Sequence, residues 1–329
     1  MTCDGVPGAA QIARAVGRVI DEIERVVVGK RQQIELVVLG LLADGHVLID
    51  DVPGVAKTLI ARSFAQVLGL SFARIQMTPD VLASDLTGSV VLDAQRNLVF
   101  RPGPLFANLI LADEVNRATP KAQSALLEAM EERQISSDGE TRQLERPFLV
   151  IATQNPVEFE GTYPLPEAQL DRFMLRIRIG YPSEAAEQAM IERRLSRRQD
   201  EMTLNKLLTR DEFLSIQRGV EFIHVSDAVI GYAVSIVQAT RSSPRIAIGA
   251  SPRGTLAIVK LARARASIRG RDYVQPDDVK AVAGPALAHR VLLPPEQWIR
   301  RIDAEQVVGA VVDGVVVPDV GSALARPTP

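Results

Sequence analysis

Short apolar strands alternate with helical or irregular segments through the first half of the chain, and this constrains the fold more than any other feature. His46 to Asp50, Phe72 to Ile75, Leu109 to Ala112, Phe148 to Thr153 and Leu175 to Ile179 each read as a strand. The first is followed by a turn containing Pro53 and Gly54 and by a helical run from Lys57 to Leu68. Repetition of such strand–loop–helix units predicts an α/β fold, a largely parallel sheet with helices on both faces. In the last strand Leu175, Ile177 and Ile179 alternate with Arg176 and Arg178, the pattern of one solvated face at a sheet edge. Ahead of the sheet, Gln11 to Val26 carries Ile12, Val16, Val19, Ile20 and Ile23 at helical spacing.

Beyond Tyr181-Pro182-Ser183 the pattern changes to helices alone: Glu184 to Arg198, Arg210 to Val220, Ser226 to Thr240, Ser251 to Arg269 and Pro276 to His289. Thr209, Ser226 and Gln275-Pro276 carry cap chemistry, with acids in the first turns that follow. A helical second domain is expected, and a length of 329 residues accommodates two domains. Pro318 to Pro329 has little to bury and is expected to be a disordered tail. A net charge of −2 gives no overall pull toward nucleic acid or an anionic membrane. Val307 to Val317, the most apolar stretch, is too short to span a bilayer, so no membrane insertion is expected. The single cysteine, Cys3, follows no apolar leader, and a cytoplasmic location is expected. His46, His224 and His289 are isolated from one another and predict no zinc site.

Three constellations carry candidate chemistry. Asp51-Val52-Pro53-Gly54-Val55-Ala56-Lys57-Thr58 lies between a strand and a helix, where backbone N–H groups can cradle a polyphosphate, Lys57 can reach it and Thr58 can hold Mg²⁺. Asp51 and Ala56 replace both glycines of the G-x-x-x-x-G-K-[ST] pattern, so the segment taken alone is equally an ordinary strand-to-helix turn. Leu109-Ile110-Leu111-Ala112 delivers Asp113 toward the same metal and Glu114 toward an attacking water, although an apolar run ending in two acids is also a common strand end. Thr119 and Pro120 then start a helix with Ala122, Ala125, Leu126, Ala129 and Met130 as its buried stripe. Asn155 follows a strand and can help hold the water, or simply form the turn before Pro156.

Together these elements resemble AAA+ ATPases, and the wording of the chain resembles the MoxR family in particular. The matching stretches are Val27-Val28-Gly29-Lys30, Asp51 to Thr58, Asp113-Glu114-Val115-Asn116-Arg117-Ala118, Ala152 to Pro156, the long segment Gly161 to Phe173, and Gly249 to Arg253. The resemblance runs from about Val19 to Leu293. It implies an AAA+ P-loop core with a parallel sheet flanked by helices, residues 19–182, followed by a helical lid domain, 183–302. Residues 1–18 would lead into the first helix and 303–329 would form a C-terminal segment and tail.

The resemblance further implies ATP and Mg²⁺ as cofactors, backbone contacts to adenine from Val28 and Gly29, Asn155 as sensor 1, Arg172 as an arginine finger for a neighbour's site, and Arg253 as sensor 2. Asp85 to Pro104, turning at Gly88 and Asn97, resembles an insert interrupting the second core helix. Gln134 to Arg146 resembles the hairpin before sensor 1, and its Asp138-Gly139 turn supports a plain hairpin without any function. Both replacements in the phosphate loop are tolerated in the family, provided that the Asp51 carboxylate points away from the phosphates. The implied activity is ATP hydrolysis to ADP and phosphate in a homo-oligomer, expected to be a hexamer. It would remodel, mature or assemble a protein client, a domain of the von Willebrand factor A type among the partners. The rivals are a nucleic-acid motor of the AAA+ class, against which the near-neutral charge argues, and a non-catalytic ATP-switched adaptor. The cluster Arg193, Arg194, Arg197 and Arg198 is expected to be a solvated face or to pair with acids between subunits, and Trp298 to anchor the C-terminal segment.

Overall fold

The computed structural model describes residues 5–52, 54–137, 139–155, 162–197, 203–299 and 302–318. The chain opens with α1 (Ala9–Glu24), whose Ile12, Val16, Val19, Ile20 and Ile23 form its buried face as the spacing predicts. A second helix, α2 (Arg31–Leu42), follows; Ile34, Val37, Val38, Leu39, Leu41 and Leu42 are buried, which leaves no polar stripe for periodicity to detect. Then come β1 (Val47–Asp50), α3 (Lys57–Val67), β2 (Phe72–Gln76), α4 (Ala83–Thr87) and the antiparallel pair β3 (Gly88–Leu92) and β4 (Leu98–Pro102). Next are β5 (Leu109–Asp113), α5 (Pro120–Glu132), the hairpin β6 (Gln134–Ser137) and β7 (Glu140–Gln143), β8 (Leu149–Gln154), α6 (Glu167–Leu170) and β9 (Leu175–Ile177).

Five strands form one parallel sheet in the order β2-β5-β8-β1-β9. Alternation along each central strand divides two cores. Val47 and Ile49, Leu109 and Leu111, and Leu149 and Ile151 face α1, α2 and α3. Leu48, Ile110, Ala112, Val150 and Ala152 face α5 and its surroundings. β9 is an edge strand, as its alternation predicts, but it ends at Ile177 and not at Ile179. The Ile179 N–H leaves the ladder because it donates to a side chain, Asp51.

Both inserted segments are hairpins. They touch where the Arg142 guanidinium lies 3.8 Å above the Phe100 ring, and Phe100 packs edge-on against Phe106. Gly139 turns the second hairpin with φ +77°, a conformation that glycine adopts without steric cost, while Asp138 lies outside the described residues.

The second half is helical: α7 (Glu184–Arg197), α8 (Arg210–Glu221), α9 (Asp227–Ser242), α10 (Pro252–Ile268), α11 (Pro276–Leu287), α12 (Pro295–Ile299) and α13 (Ala304–Asp313). Thr209 caps α8 in a reciprocal box with Glu212, and Ser226 and Ser251 cap α9 and α10. These helices share one continuous core with α1, α2 and the sheet, joining Phe213, Ile216, Ile258 and Leu261 to Ile12, Val16 and Val38. Within the C-terminal segment, residues 304–313 are helical and bury Val307, Val308 and Val312 against the lid helices. The side chains of Trp298 and Arg197, residue Arg198 and residues 319–329 lie outside the description. Arg193 donates to the carbonyls of Glu24 and Arg25 at the end of α1. Among the described residues no helix is long and apolar enough to cross a membrane.

His46 sits buried at the start of β1, with Nδ1 accepting from Val150 N–H (3.0 Å) and Nε2 facing the Met130 carbonyl (3.1 Å). Burial, with nearby Arg133 second, lowers its pKa to about 4. Its unfolded value is near 6.5, so the unfolded chain takes up the proton first and stability is lost as pH falls from 6.5 toward 4. Burial drives His289 the same way. We predict that the unfolding free energy in urea falls by about 3 kcal/mol across that window through His46 alone. His46→Gln should flatten the fall; an equally steep profile in that variant would remove His46 as its cause.

Candidate functional site

Because the sheet strands are parallel, their C-terminal ends share one edge, and loops at that edge form the crevice where open α/β sheets bind ligands. Lys57 opens α3 there. Its ammonium is buried and donates to the carbonyls of Asp51 (2.6 Å) and Gln154 (3.3 Å). Burial lowers its pKa, and Asp51, Asp113, Glu114 and Asp50 oppose that shift. The Asp51 carboxylate turns away from the loop: Oδ1 accepts from Val52 N–H (2.8 Å), and Oδ2 from Ile179 N–H (2.6 Å) and Gly180 N–H (2.5 Å). Ala56 adopts φ +62°, ψ +21°, a left-handed conformation costing a non-glycine residue about 1–2 kcal/mol. Gly54 also has positive φ, Val55 is buried, Val52 and Thr58 are half-buried, and Pro53 lies outside the described residues.

Asp113 ends β5 beside this lysine. One carboxylate oxygen accepts from the Thr153 hydroxyl (2.7 Å) and the other from Arg74 (2.8 Å). The same hydroxyl accepts from Glu114 N–H (2.8 Å), which holds Glu114 in a left-handed conformation, φ +58°. The Glu114 carboxylate in turn accepts from Gln76 (2.9 Å) and Arg117 (3.1 Å). Asn155 is buried directly after β8, and its carbonyl accepts from Asn116 Nδ2 (3.3 Å). Lys57, Asp113, Glu114 and Asn155 thus stand together. Arg74, Gln76, Thr153 and Arg117 complete their surroundings and were missed in the sequence; only the cross-strand register, which pairs Gln76 with Asp113, reveals the first two.

Val28 and Gly29 lie between α1 and α2. Gly29 has φ +72°, and a Cβ there would stand 2.6 Å from Ala186 Cβ, so this loop is pressed against the first turn of α7. Lys30 donates to the carbonyls of Ile179 and Tyr181, both at 2.8 Å.

Arg172 and Arg253 lie elsewhere. Arg172 precedes β9, which runs parallel to β1 with Leu175 opposite Val47, and Met174 N–H donates to the His46 carbonyl. It therefore occupies the N-terminal edge of the sheet, separated from the lysine edge by at least the length of β1, about 13 Å. Arg253, at the start of α10, reaches the same place: both guanidiniums pair with Glu131 at the end of α5, Arg172 at 3.0 Å. Beneath them the buried Arg290 binds Asp171 Oδ1 (2.6 Å) and the carbonyls of Asp171 (3.0 Å) and Phe173 (2.6 Å). Ser251 donates to the other Asp171 oxygen (2.9 Å). Glu131, Asp171, Arg172, Arg253, Lys260 and Arg290 line a cleft of about 240 Å³ in which basic side chains outnumber acidic ones.

Comparison with known proteins bears on both edges. The ATPase family associated with various cellular activities (AAA) matches residues 46–175, and the AAA lid domain matches residues 238–310. Chaperone MoxR1 of Mycobacterium tuberculosis is 42% identical over 97% of this chain and 86% of its own length. The chain belongs to the MoxR family of AAA+ ATPases. A Bacillus subtilis family relative without a characterised function, YeaC, is 47% identical over 92% of this chain and 95% of its own. A crystal structure from Cytophaga hutchinsonii, assigned as an ATPase, superposes with a TM-score of 0.88 at 39% identity, covering 94% of this chain and 97% of that one.

AAA+ ATPases use a nucleotide and usually Mg²⁺, and the MoxR-family site fits both. The buried Lys57 ammonium has carbonyl partners that a polyphosphate can replace, and the one carboxylate in the loop is turned aside. Among the described residues no group of three or more His, Cys, Asp or Glu is placed to hold a metal ion. Mg²⁺ in phosphate sites relies on one or two protein oxygens plus phosphate and water, so Thr58 and Asp113 are the residues that could hold it. Thr153→Val removes the hydroxyl that joins Asp113 to Glu114 N–H, and we predict a loss of about 1–3 kcal/mol in unfolding free energy. Thr153→Ser, which keeps the oxygen, should stay within about 1 kcal/mol of the parent; equal losses in the two would show that the methyl, and not the hydroxyl, matters.

Proposed function

We propose that this MoxR-family protein hydrolyses ATP to ADP and phosphate at sites completed by a neighbouring copy, and uses the cycle to remodel, mature or assemble a protein client. The observation that carries this is the division of its charged groups. Lys57, Asp113 and Glu114 stand at one edge of the sheet, and Arg172 and Arg253 at the other. No closure within one subunit joins them, because the lid that carries Arg253 is fixed beside Arg172 through Ser251, Arg290 and Asp171. A second copy that turns its arginine edge toward the lysine edge of the first supplies what is missing, and repetition of such a heterologous contact closes a ring, six subunits by family resemblance.

In this assembly the Lys57 ammonium exchanges its carbonyl partners for phosphate oxygens, and Val28 and Gly29 flank the base. Glu114 orients and deprotonates the attacking water, and Asn155 steadies it. Mg²⁺ held by Thr58 and Asp113 would neutralise phosphate charge. The exposed Arg74 is the partner of Asp113 that yields most readily, since Thr153 is buried. Arg172 and Arg253, both acting from the neighbour, stabilise charge on the transferred phosphoryl group. The name chaperone borne by the Mycobacterium relative supports a protein client, a von Willebrand factor A-like domain being the partner class to test first, in the cytoplasm.

Two inactive variants test the shared site. Glu114→Gln should bind ATP and retain it, and Arg172→Ala should bind it with turnover reduced roughly 10³-fold or more. Mixed under conditions that allow subunits to exchange, they form some interfaces with an intact Glu114 facing an intact Arg172, and hydrolysis should return above the sum of the separate rates. With exchange confirmed independently, no recovery would make Arg172 a partner of Glu131 and nothing more. DNA added to the parent should leave its rate unchanged; stimulation that falls steeply with salt would favour a nucleic-acid motor.

A further inference from the structure

The connection from β9 to α7 is gripped from two sides by opposite charges. On its N–H side the Asp51 carboxylate accepts from Ile179 (2.6 Å) and Gly180 (2.5 Å). On its carbonyl side the Lys30 ammonium donates to Ile179 and Tyr181, both at 2.8 Å. Gly180, between them, has φ +65°, a conformation that L side chains rarely adopt, so the chain turns sharply where it is held. Each gripping residue also belongs to a loop that would face nucleotide. The Asp51 carbonyl accepts from Lys57 (2.6 Å), and Lys30 adjoins Gly29, whose backbone is pressed against Ala186.

The element that follows is loosely held. Among the described residues of α7 only Ala186 is buried, while Met190 is 47%, Ile191 52% and Leu195 70% exposed. The helix is placed through its first turn, by the linker and the Gly29–Ala186 contact, and further along by Arg193 at the end of α1. A displacement of the linker shifts α7 with little packing to oppose it. The lid helices α8, α10 and α11, by contrast, share a continuous core with α1 and α2 and offer no comparable freedom.

We propose that Asp51 and Lys30 are positioning residues that couple nucleotide occupancy to the placement of α7, with Asp51 sensing the phosphates and Lys30 the base side. The physical basis is electrostatic. When Lys57 turns from the Asp51 carbonyl to a polyphosphate, the buried Asp51 carboxylate faces new negative charge, and the linker N–H groups are the contacts through which it responds. The aspartate that departs from the loop's glycine pattern is then the connection between the site and the rest of the subunit. This rests on the nucleotide site proposed above.

The test uses the full-length protein with Asp51→Gly, Asp51→Asn and Lys30→Met. Asp51→Gly restores the loop's standard glycine and removes a carboxylate from its mouth, so KM for ATP should stay level or fall. Turnover should nevertheless drop about tenfold or more, because the linker loses its tie. Asn keeps an oxygen that can accept from both linker N–H groups but lacks the charge that responds to the phosphates, so its turnover and its exchange response should fall toward those of Asp51→Gly. Asp51→Gly combined with Lys30→Met should be no slower than the slower single variant, since both act on one linker. Hydrogen exchange supplies a readout independent of hydrolysis. A non-hydrolysable ATP analogue with Mg²⁺ should change amide protection between Ile179 and Leu195 in the parent, and not in Asp51→Gly carrying the same analogue.

Parental turnover in Asp51→Gly, or a parental exchange response in it, overturns the coupling. Additive losses in the double variant do the same. If Asp51→Gly fails to fold, Asp51→Asn and Lys30→Met decide by the same exchange measurement. A parent that binds the analogue without hydrolysing ATP removes only the catalytic part of the proposal above, and the coupling is judged on exchange; a parent that binds no nucleotide removes both.

Discussion

Parallel pairing of β1 between β8 and β9 decides which side chains of one subunit can meet. In a parallel sheet every strand ends at the same edge, so residues that follow strands gather there and residues that precede strands gather opposite. Lys57, Glu114 and Asn155 follow β1, β5 and β8, and Asp113 is the last residue of β5; Arg172 precedes β9. The separation of acid, lysine and arginine is therefore built into chain direction and not into any loop conformation. Rearranging a loop can shift these groups by a few ångströms, but exchanging their edges would require a different topology.

A second constraint fixes the lid to one of those edges. Arg290 is almost fully buried, and its charge is satisfied by Asp171 together with the carbonyls of Asp171 and Phe173. Removing either partner of such a pair strands a charge in the interior at a cost of about 3–5 kcal/mol, so the end of α11 is committed to the loop that carries Arg172. Ser251 makes a second attachment at the N-terminus of α10, which delivers Arg253 beside Arg172. Glu131 then offers a single carboxylate to both guanidiniums at a half-exposed position. That pair is screened and cheap to break compared with the buried pair beneath it, so the arginines have a rigid base and loosely held tips.

Much of the sheet was legible because its central strands are short apolar runs bounded by turn residues, and parallel strands buried on both faces read that way. The helix α2 was not, since burial on nearly all sides erases the polar stripe on which periodicity depends. The helix α13 was hidden for a related reason: its valines, weighed as a failed membrane span, are a docked face. At the site, Lys57 could be named from its place in a strand–loop–helix pattern, and Asp113 and Glu114 because they end an apolar run. Thr153 could not, because a threonine at a strand end carries no local mark of the carboxylate that it holds. Gln76 required the β2–β5 register, and Glu131 required a contact with residues far along the chain, neither of which any short window contains.

The two departures from the phosphate-loop pattern differ in physical kind. Position 56 uses the freedom of glycine: its φ is +62°, and an alanine there carries the steric cost of a left-handed backbone. Position 51 does not, because Asp51 is absent from the residues with positive φ, so a glycine at that point provides space and not conformation. Space can be filled if the added group has somewhere to go. The carboxylate goes to the Ile179 and Gly180 N–H groups just past the end of β9, where the ladder stops and backbone donors would otherwise be buried without a partner. An unpaired buried N–H costs about 1–3 kcal/mol, so the aspartate and the early end of the edge strand each supply what the other lacks. The substitution that looked least compatible with an anion site is thereby accommodated by a strand that stops two residues short of its apolar pattern.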